Sequence, residues 1–521
     1  MKKIGIYTAY DPKVDLHKEG LGRFQIFLLK GLVAAGYTPF IAIPSWHIES
    51  MKEFLRENNL EQNVKLFYVV SSPPVIFQVM DFFSTRLHVR IQTDFRMLFL
   101  RFYTMVRNLL SAWFYSMLVT NSWGLAILFA LLFVLLIPLI AVGGAIWFLG
   151  YLMIAVCCKL LLLLKRWIVP ENKLLQLKNI FMAVTNKDFR ALRFFPLVQN
   201  VRQAYRRQEL PSLIHKINAS DIEKWIVPTV FWNESTGIIK PKVIVVPDLV
   251  YLSFPLHMCS LFGIRERIDG INSILGKESN FITYSRFVKE EQLMKYHGFS
   301  SSQIHVIPHA PMDMSDYVKP ELLKNTFTSL RSGAYRHLAR YEFTSFDYII
   351  YPSQMRPYKN VMALVQACHK LIMKKYCNIK LVLTMNDHSS IANYIKDNNM
   401  TNNVIFASNL SNAQLAALYH SARLAVNPTL FEGGFPFTFS EAFSVGTPSV
   451  MSKIPVVEEY VSGDLAERML FDPYNVDDMV RQIHWGLLHR EELYQRQEGL
   501  YARLRARSWK DVAMEYAAAI R

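Results

Sequence analysis

Cysteine is scarce, with five in 521 residues. Cys157, Cys158, Cys259, Cys368 and Cys377 are odd in number, and their spacing fits neither a zinc site nor a disulfide framework. The chain is therefore expected to face a reducing, cytosolic side. No other metal-ligand cluster stands out; Asp477 and Asp478 read as a solvated pair near a helix start. Negative charge is also short, 42 Asp and Glu against 58 Lys and Arg. The net charge of +16 favours anionic partners such as phospholipid headgroups, nucleotide phosphates or nucleic acid, without choosing among them. The opening MKKIGIYTAYDPK has a basic pair but an apolar run too brief for a signal-peptide core, so it reads as a first β-strand and argues against secretion. Repeats and low-complexity tracts are missing, and the length suits two to four domains of about 100–200 residues each.

Charged residues make up only 19% of the chain and hydrophobic ones 51%, so the apolar excess must be concentrated somewhere. It lies at 108–158, a 51-residue run without Asp, Glu, Lys, Arg or His. As one helix it would reach about 76 Å. A bilayer core of about 30 Å cannot hold that as a single span. The run is expected to fold back as a helical hairpin, with Thr120 to Ser122, Pro138 or Gly143-Gly144 as candidate turns. Arg96, Arg101 and Arg107 on one flank and Lys159, Lys165 and Arg166 on the other place both ends on the cytoplasmic face.

Before this run, strand-like Ile4–Tyr7, Pro39–Ile43 and Val64–Val70 alternate with helix-like Phe24–Val33 and Glu49–Glu57. After it come a basic stretch with Arg190, Arg193, Arg202, Arg206 and Arg207 and a strand at Val243–Val246. The apolar segment thus interrupts one α/β domain, whose halves must lie on the same side of any membrane. A second series follows, with strands at Tyr348–Tyr351, Ile379–Thr384, Val404–Ala407, Leu424–Asn427 and Ser449–Met451. Such alternation implies a second parallel sheet. Pro311–Thr344 has weak periodicity and is assigned to the interdomain connection.

The densest constellation runs from Phe431 to Ala442 (FEGGFPFTFSEA), followed by Gly446-Thr447-Pro448. Glycines after a strand let backbone amides approach an anion, and a helix opening near Thr438 turns its positive dipole end toward a phosphate. Glu432 and Glu441 bracket the loop, and ionised carboxylates accept hydrogen bonds from sugar hydroxyls. These residues resemble the signature of the retaining family 4 glycosyltransferases, proteins of the GT-B fold built from two Rossmann-like domains facing a cleft. The family separates its two glutamates by seven residues; here eight intervene. By this resemblance Glu432 contacts the donor sugar, Glu441 the nucleotide ribose, and Gly433, Gly434 and Phe435 the nucleotide sugar.

Tyr351 to Asn360 (YPSQMRPYKN) resembles the family's diphosphate-neutralising segment. Lys359 carries over directly. Gln354 stands where the family's Arg aligns, with Arg356 two residues on as the group that reaches the same phosphate. Glu19-Gly20-Leu21-Gly22-Arg23 resembles the family's diphosphate-facing loop and gives Gly20, Gly22 and Arg23 as binding residues. Val246-Pro247-Asp248 falls where relatives often carry a His facing the donor sugar; Pro247 aligns with it, and Asp248 is the nearest polar candidate. Phe281–Phe287 and Ile304–Pro311, with His309 where relatives often have Asn, resemble the closing strands of the first domain.

The expected organisation is a first Rossmann-like domain at 1–92 and 171–320, an inserted membrane hairpin at 93–170, a nucleotide-sugar-binding domain at 345–504, and a C-terminal helix at 505–521 crossing back to the first domain. The resemblance implies a metal-independent hexosyltransferase that needs no cofactor beyond its substrate, a GDP- or UDP-linked sugar. The catalytic candidates are Glu432, Lys359, Arg356 and Asp248. The hairpin suggests a lipid-linked saccharide acceptor, contact with anionic phospholipid and a place at the bacterial inner membrane, with the catalytic domains cytoplasmic. Nucleic acid is not expected, because no recognition motif accompanies the basic flank. A second class stays open, a non-catalytic GT-B-like scaffold subunit of a polysaccharide synthase, motivated by Gln354, Pro247 and the lengthened glutamate loop.

Overall fold

A computed structural model describes residues 2–12, 20–69, 195–255 and 264–520, with isolated positions at 14, 16, 122, 124, 125, 127, 128 and 131. The hairpin expected at 93–170 lies outside the described residues apart from those isolated positions. Among the described residues no helix is long and apolar enough to cross a membrane.

The first sheet is wholly parallel and comprises β1 (Lys2–Tyr7), β2 (Tyr37–Ala42), β3 (Lys65–Phe67), β4 (Trp225–Val227), β5 (Lys242–Val245), β6 (Phe281–Thr283) and β7 (Ile304–Val306). Its order is β3-β2-β1-β4-β5-β6-β7. β3 and β4, consecutive among the described strands, lie on opposite sides of β1, β3 at one edge of the sheet and β4 next to β1. Strand β4 went unread in the sequence because three residues, Trp-Ile-Val, are too few to show periodicity. Its Trp225 is fully buried against β1. A Cβ on Gly5 would sit 2.3 Å from that indole, so the glycine is what lets the two central strands pair.

The second sheet holds β8 (Tyr348–Tyr351), β9 (Lys380–Leu383), β10 (Val404–Phe406), β11 (Leu424–Asn427), β12 (Ser449–Ser452) and β13 (Leu470–Phe471) in the order β10-β9-β8-β11-β12-β13. Buried on both faces, these strands read as short apolar runs. Alternate residues face opposite ways. Ile349, Leu381, Leu383, Val426 and Val450 share one core with the helix Val361–Lys375, while Tyr348, Ile350, Val382 and Ala425 share another with Tyr419. Each such aliphatic side chain contributes about 1.5–3 kcal/mol on burial. Leu330, Leu338 and Phe343 join the second of these cores, so the segment assigned to a connection also packs as part of the second domain, which begins before residue 345.

Both sheets reverse direction next to a central strand, at β1/β4 and at β8/β11. In open α/β sheets the crevice beyond the carboxyl ends of the strands at such a reversal is where ligands bind. The helix Trp509–Ala519 packs on the helix Gly20–Ala34 of the first domain, with Trp509 stacked on Phe27 at 5.1 Å. Gly31 is the point of closest approach: a Cβ there would lie 2.1 Å from the Trp509 carbonyl oxygen.

Candidate active site

The loops leaving β8 and β11 flank the switch point of the second sheet and are tied to each other. Tyr358 offers its carbonyl to the Leu430 amide at 2.8 Å and to the Thr429 hydroxyl at 3.3 Å. The Tyr351 hydroxyl donates to the Lys359 carbonyl at 3.2 Å. Lys359 ends a short 3-10 turn begun by Pro357, and the next residue, Asn360, is left-handed at φ 54°, a conformation Asn tolerates better than most. Its side-chain Nδ2 donates to the Pro473 carbonyl at 2.8 Å, which fixes the turn. The outcome is that Lys359 Nζ meets Glu432 Oε1 at 2.5 Å, with both side chains 20% exposed.

The glycines after Glu432 touch the first domain. A Cβ on Gly433 would lie 2.0 Å from the Pro247 carbonyl oxygen and 2.9 Å from Asp248 Cβ, and one on Gly434 would lie 2.8 Å from Tyr284 Cβ. The Ser285 hydroxyl donates to the Gly433 carbonyl at 2.8 Å. Asp248, just past β5, accepts from the Val250 amide at 3.2 Å. Burial pushes its carboxyl up to about 6, neighbouring Glu432 adds to the rise, and Lys359 and Arg356 oppose it. Tyr358 is pushed up to about 12, by burial first and by Asp248 second. Asp248, Tyr358, Lys359 and Glu432 thus form one electrostatically coupled group.

Arg356 couples to this group through Asp248 and Tyr358, and the remaining candidates make their contacts elsewhere. Gly20 opens its helix with no described residue within 4 Å of an added Cβ, whereas Gly22 packs so closely that a Cβ would sit 2.2 Å from the Leu16 carbonyl oxygen. Arg23 reaches across to the second domain and bonds Glu441 Oε1 at 2.5 Å, and Tyr419 donates to the other carboxylate oxygen at 3.3 Å. Glu441 is only 2% exposed, and its charge raises the affinity of the Arg23 guanidinium for its proton. Glu441 already accepts from both Arg23 and Tyr419, so a ribose hydroxyl donating to it would compete with these two donors. Arg356 is exposed and donates to Gln354 Oε1 at 3.1 Å, so the two alternatives for the family's arginine position are bonded to each other. Phe435 packs its ring on Tyr460 at 4.8 Å and Phe439 at 5.7 Å. His309 is enclosed by Tyr284, Phe24, Phe437 and Trp509, and burial lowers it to about 3.

Tyr358, Tyr284, Ser285, Tyr419 and Glu459 received no role from the sequence. Glu459 accepts from the Arg286 and Phe287 amides at 3.0 and 2.8 Å. These contacts join residues far apart in the chain, and no spacing rule announces them.

Residues 341–500 match the family model described as Glycosyl transferases group 1. The chain is 32% identical over 162 residues to an MMP alpha-(1->4)-mannosyltransferase of Mycolicibacterium hassiacum, covering 30% of this chain and 39% of that relative. It is 25% identical over 177 residues to a lipopolysaccharide 1,2-N-acetylglucosaminetransferase of Salmonella typhimurium, covering 32% of this chain and 46% of that relative. The chain thus spans less than half the length of either curated relative. The crystal structure of Anabaena HepE in complex with UDP resembles it with a TM-score of 0.51 at 12% identity, covering 99% of each chain. That likeness shows the fold, two parallel-sheet α/β domains of the GT-B kind.

Proposed function

We propose that the chain is a membrane-associated, retaining, metal-independent glycosyltransferase of family 4. It moves a hexose, with mannose one candidate, from a UDP- or GDP-linked donor to a lipid-linked saccharide in polysaccharide synthesis at the cytoplasmic face of a bacterial inner membrane. One observation carries this reading: the Lys359 and Glu432 loops leave the two strands at the switch point and meet Asp248 of the first domain. The family match over 341–500 and the mannosyl- and N-acetylglucosaminyltransferase relatives support a sugar transfer. The HepE complex with UDP supports a nucleotide-linked donor.

In this reading Lys359 exchanges Glu432 for the donor diphosphate and stabilises its charge as the sugar–phosphate bond breaks. Glu432, released, accepts hydrogen bonds from the sugar hydroxyls. The helix Phe437–Ser444 has Pro436 at its start and no side-chain cap, so its first amides serve a phosphate oxygen. Asp248, titrating near 6, is suited to take a proton close to neutral pH. Gln354 and Arg356, bonded to each other, favour the scaffold alternative to the extent that Arg356 stays away from a phosphate. A screen of UDP-glucose, UDP-N-acetylglucosamine and GDP-mannose for nucleotide release decides between the two: turnover with one of them is expected, and donor binding without turnover identifies a scaffold.

The apolar segment 93–170 would bring the site to a lipid-borne acceptor and raise its effective concentration. A chain carrying a Gly/Ser linker in place of 108–158 is expected to need no detergent for extraction, to keep donor binding and to lose most transfer to a lipid acceptor. Unchanged transfer to that acceptor removes the delivery role.

A further inference from the structure

The helix that begins at Arg286 has its first turn satisfied from two directions. Ser285 Oγ accepts from the Val288 amide at 3.2 Å, an N-cap within the first domain. The Arg286 and Phe287 amides are taken by the two oxygens of Glu459, a residue of the second domain whose side chain is 13% exposed. A carboxylate at a helix N-terminus is also favoured by the helix dipole. The Ser285 hydroxyl is used a second time, donating its proton to the Gly433 carbonyl. Gly433 follows Glu432 directly, and its missing side chain is what lets the loop lie against Pro247 and Asp248. One short segment, Tyr284 to Phe287, therefore holds the second domain at two places: the glycine loop and Glu459.

We propose that Glu459 and Ser285 form a closing latch that sets the position of the Glu432 loop against the first domain. Glu459 is then a positioning residue for sugar transfer, acting through the loop without touching the substrate. The inference rests on the glycosyltransferase reading only for its kinetic consequence. Any parting of the two domains would take Glu459 from the two amides and Ser285 from the Gly433 carbonyl together, because one short segment makes both contacts. Lys359 and the first amides of the helix Phe437–Ser444, which the latch does not touch, also hold the donor in this reading, so the donor KM is expected to change less than kcat.

Two measurements on the full-length protein test this. The first is hydrogen exchange without ligand: Glu459→Ala is expected to speed exchange at 284–290 and also at 431–436, a loop to which Glu459 is not bonded. The second is steady-state release of UDP or GDP from the sugar nucleotide that the wild type accepts. Here Glu459→Ala is expected to lower kcat about tenfold or more while the donor KM changes less than about threefold. Ser285→Ala is expected to act in the same direction, and Glu459→Gln, which keeps one acceptor oxygen, to recover part of the loss. Wild-type kcat in Glu459→Ala, or faster exchange confined to 284–290, overturns the latch. If the wild type releases no nucleotide from any donor while exchange at 431–436 still rises in the variant, the glycosyltransferase reading fails and the latch stands.

Discussion

After β8 and β11 the second domain spends its loops on each other. Tyr358 bonds Thr429 and Leu430, and Lys359 pairs with Glu432, so these two loops and their two opposite charges are held together within one domain. The first domain does the opposite: Gly20 opens its helix with no described neighbour close by, Arg23 leaves to bond Glu441, and Asp248 stands at the end of β5 with its carboxyl raised by burial. One winding rule thus produces a pre-assembled half and a half whose polar groups are completed across the junction. The lesson concerns where chemistry is stored. Local hydrogen bonds within one domain organise the groups assigned to the donor, whereas the first domain contributes through contacts that exist only when the domains meet.

The comparison is broken most severely at the pre-assembled half. Lys359→Ala is expected to lower turnover by about 10²-fold or more, since it removes a charge whose hold strengthens as the diphosphate departs. Nucleotide release at saturating donor measures it, and wild-type turnover removes Lys359 from the site. Next come the glycines. Gly433→Ala forces a Cβ into the Pro247 carbonyl and should cost at least about tenfold in kcat/KM, while Gly20→Ala, with no described neighbour close by, should stay within about threefold. Equal losses in the two variants would erase the contrast between the halves.

Smaller effects lie at the junction. Glu441→Gln leaves Arg23 without its ionic partner and is expected to cost about 1–3 kcal/mol in denaturation, where Glu432→Gln, in a more accessible pair, costs less and acts mainly on kcat. Asp248→Asn should stabilise the protein in a pH-dependent way. Because its folded pKa is raised to about 6 from an ordinary 3.8, the native state binds the proton more tightly, and stability falls as pH rises from about 4 through 6. The variant is therefore expected to melt about 2–4 °C above wild type at pH 8 and level with it at pH 4. A gain at pH 4 equal to that at pH 8 contradicts the burial account of this carboxyl.

Much of the second domain was legible because its strands are short apolar runs of the length the pattern predicts. Leu424–Asn427 and Tyr348–Tyr351 match the structure residue for residue. Lys359 and Glu432 were picked out from contiguous motifs next to strand ends, and the structure brings their side chains together. Trp225–Val227 and Leu470–Phe471 were not, since two or three residues carry no period and only their neighbours in the sheet make them strands. The pairing of Arg23 with Glu441 and the docking of Glu459 were beyond reading too: both depend on how two domains meet, a property that no window of sequence contains.

The central claim is that the Lys359–Glu432 pair, brought against Asp248 at the second sheet's switch point, is the seat of nucleotide-sugar transfer. The most direct measurement is release of UDP or GDP from a panel of sugar nucleotides by the full-length protein, with the Lys359→Ala protein run in parallel. The account predicts release from at least one donor, with the variant lower by about 10²-fold. Release by wild type and variant at the same rate, or none from any donor that measurably raises the wild-type melting temperature, would contradict it.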